Sequence, residues 1–158
     1  MRISTTTIEG SRVASLVDTN ILVYRCDPRD PAKRDAARAV LRRGELSGNL
    51  RLAHQSLVEF VNSVIRPRSG GASLMTREDA TRQAELFMVE FPVLYPNQHV
   101  FRTALLGMTA YRLPWYDAHL WAYAEHYGLP EILSEDFEHG RFYGTVRVRN
   151  PFVELGLA

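Results

Sequence analysis

The chain has 158 residues, enough for one domain with a substantial core and short for two. With 46% hydrophobic and 23% charged residues its composition is that of a globular protein, which argues against disorder, and no apolar run approaches the roughly 18 to 20 residues that span a bilayer. A net charge of +1, from 19 basic and 18 acidic residues, does not by itself require a nucleic-acid partner.

Residues 1–14, MRISTTTIEGSRVA, lack an apolar h-region, so they read as a flexible leader, or one added for expression, rather than a secretory signal. The expected compartment is the cytoplasm. A short strand at Leu16 and Val17 then meets Asp18 and runs into a helix start at Ile21 to Val23, and Asp27, Pro28 and Pro31 break that element. The single cysteine, Cys26, excludes an intrachain disulfide and a Cys-rich zinc site, and with no histidine near it in sequence it reads as a packed residue. Ala36, Ala39, Val40 and Leu46 mark an amphipathic helix over 32–46. Arg51 to His54 is a candidate strand, and Ser56 reads as the N-cap of a helix carrying Leu57, Val58, Phe60, Val61, Val64 and Ile65 that stops before Pro67.

Ser69 to Ser73 form a Gly-rich flexible loop. Thr76 and Asp79 make an imperfect capping box for a helix to about Glu90, because Asp reaches less far than Glu. Phe91 to Tyr95 is a short strand, and Asn97 caps a helix whose apolar positions are Val100, Ala104, Leu105 and Met108. Pro114 opens a further helix, Trp115 to Tyr127, closed by Gly128. Ile132 to Leu133 and Thr145 to Val148 are the last strands. Strands separated by helices imply an α/β layered fold with a mostly parallel sheet, in which ligands bind outside the carboxyl ends of the strands where their order reverses.

Four acids pass that positional test. Asp18 ends the first strand and Asp136 follows Ile132 to Leu133. Glu59 lies between Val58 and Phe60 in the first turn of its helix, and Asp117 shares a face with Leu120, Trp121 and Ala124. Three of them have a plain alternative: Asp18 as a helix cap, Glu59 and Asp117 as partners of a helix dipole. Convergence of all four needs a reason, since two charges about 5 Å apart repel by about 3 kcal/mol at an effective dielectric near 20. A hard divalent cation, Mg²⁺ or Mn²⁺, removes that repulsion and suits phosphodiester hydrolysis.

LVDTNILVY, LVEFVNSV, PWYDAHLWAYAEHYG and EILSEDFEHGRFYGTVRVRNPF together resemble the PIN-domain ribonucleases, and more closely the VapC toxins of toxin–antitoxin pairs, over Leu16 to Phe152. The resemblance implies a PIN-like three-layer α/β/α sandwich and a metal site at Asp18, Glu59, Asp117 and Asp136, with Thr19, Asn20 and Ser134 as supporting polar residues. Glu135 competes with Asp136 for the fourth place, and the pattern of Ser, any residue, Asp favours Asp136. The resemblance also implies an RNA substrate, a homodimer and a VapB-like antitoxin that inserts a segment into the acidic groove.

Lysine occurs once, at Lys33, so the other basic residues are arginines; Arg66, Arg68 and Arg141 are candidate phosphate contacts. His119 and His126 are seven apart, a poor spacing for a zinc pair, and His139 reads as an exposed turn residue. Trp115, Trp121 and Tyr123 read as core aromatics rather than base-stacking platforms. A phosphohydrolase with Asp18 as nucleophile would need a second Asp two residues on or a partnering Lys, whereas Asn20 stands at that position and Lys33 is distant in sequence. A non-catalytic PIN-like module that binds RNA or a protein is the remaining alternative, and it has no need of four repelling carboxylates.

Overall fold

The computed structural model of the chain describes residues 13–158, so the leader expected over 1–14 lies, but for its last two residues, outside the described residues. Six strands form one sheet in the order β3-β2-β1-β4-β6-β5. β1 (Ser15–Val17) pairs in parallel with β2 (Leu50–Ala53) on one side and β4 (Glu131–Leu133) on the other. β3 (Val93–Leu94) extends the β2 edge and β6 (Val146–Arg149) the β4 edge, both in parallel; only β5 (Phe142–Tyr143) runs antiparallel, against β6.

The pleat sends successive side chains to opposite faces, and each central strand feeds two cores. Leu16, Ala53 and Ile132 join the core under α5 (Gln98–Ala110) and α6 (Trp115–Tyr127). Val17, Leu52 and Leu133 join the core under α1 (Thr19–Cys26), α2 (Pro31–Ser47), α3 (His54–Ile65), α4 (Arg77–Glu90) and α7 (Pro151–Glu154). Strands buried on both faces read as short apolar runs rather than as alternation. The result is the expected α/β three-layer arrangement with a mostly parallel sheet. No helix among the described residues is long and apolar enough to cross a membrane.

Several local expectations change. Helix α1 ends before Asp27 as expected, and α2 begins one residue earlier than expected, at Pro31, whose missing N–H costs nothing there, with Asp30 as N-cap. Leu41 supplies the buried aliphatic contact of that helix, and Leu46 is exposed. Helix α3 begins at His54 after an extended Ala53, not at Ser56; the Ser56 hydroxyl instead donates to the Val17 carbonyl in the core. The phenylalanine–tyrosine stretch after α4 contributes only Val93 and Leu94 to a strand. Thr76 caps α4, but Asp79 accepts from the Thr76 hydroxyl instead of reaching back to its backbone.

The largest revision concerns α5. Its buried positions are Val100, Ala104 and Gly107, spaced by four and three, while Leu105 and Met108 are exposed. The contact with α6 explains the choice: a Cβ on Gly107 would stand 2.5 Å from the Trp121 ring, so the two helices approach along small residues and turn the larger ones outward. Trp121 and Tyr123 are core residues as expected, the Trp121 indole donating to the Tyr143 carbonyl.

Candidate active site

Strand order reverses between β1 and β4, which leave in opposite directions toward β2 and β6. The backbone leaves β1 at Asp18 and β4 at Ser134, so both arrive at one sheet end, tied by a bond from the Asp18 N–H to the Leu133 carbonyl. There they form the floor of an open cleft of about 560 Å³, whose lining includes Asp18, Glu59, Asp117 and Asp136. All four acids read from the sequence therefore meet in one place.

Asp18 has the cap role that the sequence allowed, and it also stands on the floor of the cleft. Its carboxylate caps α1, accepting from the Thr19 N–H at 2.6 Å, and accepts from the Ser134 hydroxyl at 2.6 Å and the Asn20 amide at 3.3 Å. The Ser134 oxygen in turn accepts from the Asp136 N–H at 3.0 Å, which couples the β4 loop to Asp18. Burial, opposed by the Ser134 bond and reinforced by the charges of Asp136 and Asp117, pushes the Asp18 carboxyl up to about 7.

Glu59 sits in the second turn of α3 once that helix begins at His54, so dipole compensation no longer accounts for it. The Thr19 hydroxyl donates to one of its oxygens at 3.1 Å and the Gln55 amide to the other at 2.7 Å. Gln55 also donates to the Tyr116 carbonyl at 2.9 Å, linking the helices that carry Glu59 and Asp117. Sequence reasoning missed Gln55; its place four residues before Glu59, on the same face of the helix, was the available signal. Asp117 is half-buried, and burial, then Asp136 and Glu59, raise its carboxyl to about 6.

The cleft sorts its acids. Asp27 pairs with Arg29, Glu135 pairs with Lys33 at 2.9 Å, and Asp30 caps α2 by accepting from the Lys33 backbone N–H. Asp18, Glu59, Asp117 and Asp136 have no cationic partner among the described residues, and of these four only Asp18 caps a helix. Lys33, distant in sequence, is thus brought beside the cleft, packed over the Tyr24 and Phe152 rings, but its charge is engaged by Glu135 rather than by Asp18.

The other candidates scatter. Arg68 lines this cleft, and Arg66 lines an adjoining one together with Arg68, Glu59 and Tyr116. Arg141 is not part of either: it pairs with Glu138 and lies over the Tyr143 ring, because its loop folds back on β5. His126 meets Asn97 and His99, and His139 accepts from the Asn150 N–H. His119 is held below its ordinary value by burial, with Glu59 opposing. Burial pushes the Cys26 thiol up to about 11, so it is not a poised nucleophile.

Among the described residues no three of His, Cys, Asp or Glu are gathered tightly enough to cage an ion unaided. The donor set nonetheless fits a hard cation that keeps several of its waters and takes only one or two carboxylates. Four carboxylates lack a counter-charge, and the buried Asn20 Oδ1 lacks a hydrogen-bond partner.

Known proteins agree with this architecture. The PIN domain family model matches residues 15–144. Among solved structures, a toxin–antitoxin complex from Klebsiella pneumoniae aligns with a TM-score of 0.64 at 16% identity, covering 87% of this chain and 98% of that one. VapBC2 from Rickettsia felis, bound to a DNA fragment from its promoter, aligns at 0.66 and 11% identity, with coverage of 87% and 98%. VapC20 from Mycobacterium tuberculosis, a sarcin–ricin-loop-cleaving toxin, aligns at 0.59 and 16% identity over 78% and 90% of the two chains. No curated protein matches the chain. A family match over most of its length and an acid cleft at the point where the sheet order reverses lead to one conclusion: the chain belongs to the PIN domain family.

Proposed function

We propose that this protein is a metal-dependent endoribonuclease of the VapC toxin type, cutting cellular RNA in the cytoplasm and neutralised by a VapB-like antitoxin. The observation that carries the reading is the set of four carboxylates, Asp18, Glu59, Asp117 and Asp136, that share one cleft without a cationic partner among the described residues. A fold held in common with toxins solved in complex with their antitoxins supports the partner. The exposed apolar residues Phe101, Leu105 and Met108 on α5 are consistent with a homodimer.

Asp18, Glu59, Asp117 and Asp136 would hold Mg²⁺ or Mn²⁺. When bound, such a cation supplies charge for a phosphate oxygen and a lowered pKa for water. The chain's part is orientation. Ser134 and the Thr19 N–H fix both oxygens of Asp18, while Thr19 and Gln55 fix both oxygens of Glu59, so neither carboxylate must reorganise as substrate arrives. The same bonds disfavour Asp18 as a covalent nucleophile, since its oxygens are engaged and Lys33 faces Glu135.

The test is cleavage of RNA by the purified protein with Mg²⁺ or Mn²⁺ and with a chelator. Asp18→Asn keeps the cap geometry and removes the charge, so cleavage and growth arrest on expression should disappear while the fold persists. Undiminished cleavage by that variant would sink the assignment, and sequencing of the cleaved ends identifies the target.

A further inference from the structure

Another carboxylate of the cleft, Asp27, has a different setting from the four acids. Asp27 is 5% exposed, at the C-terminus of α1, and three groups converge on it. The Arg29 backbone N–H donates to it at 3.0 Å, the Arg29 Nε donates at 2.8 Å and the Arg29 Nη2 donates to its other oxygen. The Arg68 Nη1 lies 4.0 Å from that same oxygen. Arg68 comes from a separate element, the turn after α3, which is closed by its own N–H to the Ala72 carbonyl and by the Gly71 N–H to its carbonyl. Gly70 and Gly71 adopt φ of +112° and +102°, which explains the paired glycines there.

Both guanidinium groups line the cleft that holds the four unpaired acids, yet neither pairs with any of them. Arg29 commits Nε and Nη2 to Asp27 and keeps Nη1 free among the described residues; the Arg68 side chain makes no hydrogen bond among them. A buried carboxylate that binds one arginine and draws a second to within 4.0 Å keeps both off the acids that a cation would meet and leaves guanidinium donors facing the cleft. A phosphodiester strand crossing this floor meets both kinds of group.

We propose that Arg29 and Arg68, held on Asp27, form a phosphate subsite for the RNA strand beside the scissile bond, with Asp27 as a positioning residue that does not touch RNA. The subsite rests on the ribonuclease reading for its substrate. An acidic antitoxin segment is the competing occupant; the free donors stand beside the acids that must face the scissile phosphate, which favours RNA.

The experiment measures binding of a fluorescently labelled single-stranded RNA of mixed sequence, in chelator so that nothing is cut, across a salt series. Arg29→Gln and Arg68→Gln should each weaken binding and reduce the dependence of log affinity on log salt by about 0.7, the contribution of one phosphate contact on a single strand. In cleavage with metal the same variants should raise KM with kcat retained. Asp27→Asn should lower affinity although both arginines remain, and its salt slope should fall with them, which a merely structural role would not produce. Arg42→Gln, on the exposed side of α2, controls for net charge. Equal slopes for wild type, Arg29→Gln and Arg68→Gln overturn the subsite, as does an equal fall with Arg42→Gln. Lost antitoxin affinity with RNA affinity intact assigns the arginines to the antitoxin and also overturns it. Wild-type protein that fails to cut RNA with metal sinks the ribonuclease reading instead, and binding in chelator still decides the subsite.

Discussion

Two of the open clefts among the described residues, of about 560 and 530 Å³, are both bordered by α1. The second is lined by Arg25, Arg38, Arg42, Glu45, Glu90 and Cys26. There the partly buried acid is matched: Glu90 receives both arms of the Arg25 guanidinium, which also stacks over Phe87. In the first cleft Asp18 and Asp117 stand with raised pKa values and no cation, their oxygens oriented by neutral donors or left free. Size therefore separates the two clefts poorly; unmet charge separates them well, because a carboxylate without a counter-charge is costly to desolvate.

One substitution made in both clefts should give opposite results. Asp117→Asn removes an acid that only repels its neighbours, so RNA cleavage should fall by at least about a hundredfold, as for loss of a metal-site group, while the metal-free fold does not lose stability. Glu90→Gln removes one side of a largely buried bidentate pair, so it should cost about 1 to 2 kcal/mol of unfolding free energy and leave cleavage per folded molecule unchanged. Steady-state cleavage and urea melts check both. If Asp117→Asn destabilises and Glu90→Gln inactivates, the contrast between the clefts is wrong.

The pH dependence of stability sharpens the same contrast. Asp18 is raised from 3.8 to about 7, and Asp117 from 3.8 to about 6, each partly by Asp136. Between about pH 4 and 7 the folded chain then holds protons that the unfolded chain has released, so stability falls as pH rises through that window and levels off above it. The loss should amount to several kcal/mol in metal-free protein, with Asp18→Asn removing the larger part of it. Mn²⁺ should raise the melting temperature more at pH 8 than at pH 5, because at pH 5 it competes with protons for the same oxygens. Thermal melts at both pH values, with and without the ion, measure this; a gain independent of pH would detach the ion from these acids.

The sequence made the acids visible and, through the resemblance, Thr19, Asn20 and Ser134 beside them, but not Gln55 or the ion pairs around the cleft. Asp18 and Asp136 are legible because apolar strand residues precede them, and parallel order in a layered fold tells where such strand ends gather. Asp117 is legible through its spacing from Leu120, Trp121 and Ala124, all of which are buried. Lys33 was misplaced because sequence separation was read as distance, although α2 returns along α1 and delivers it to Glu135. Leu105 and Met108 were misassigned to the core because hydrophobicity alone chose the face of α5, whereas the fit of Gly107 against Trp121 decides it. Asp27 gave no local sign, since its value lies in Arg68, which comes from another element.

Within the acid cleft itself, Glu135 repeats the contrast between matched and unmatched charge at the smallest scale. It stands next to Asp136, and the motif alone left the two in competition. Glu135 accepts from the Lys33 ammonium at 2.9 Å, with both side chains about one fifth exposed, so its charge is met by protein. Asp136 has no such partner among the described residues, and its N–H is bonded to the Ser134 hydroxyl that also holds Asp18. Asp136→Asn should therefore lower cleavage severely. Glu135→Gln should change it by no more than about threefold and cost at most about 1 kcal/mol, since the partly exposed pair is screened by water. Lys33→Gln should then act in the opposite sense on the site: with Glu135 released, an additional unmatched acid borders the cleft, and Mn²⁺ affinity measured by calorimetry should rise slightly. Equal losses for Glu135→Gln and Asp136→Asn would mean that a cationic partner does not mark an acid as outside the site.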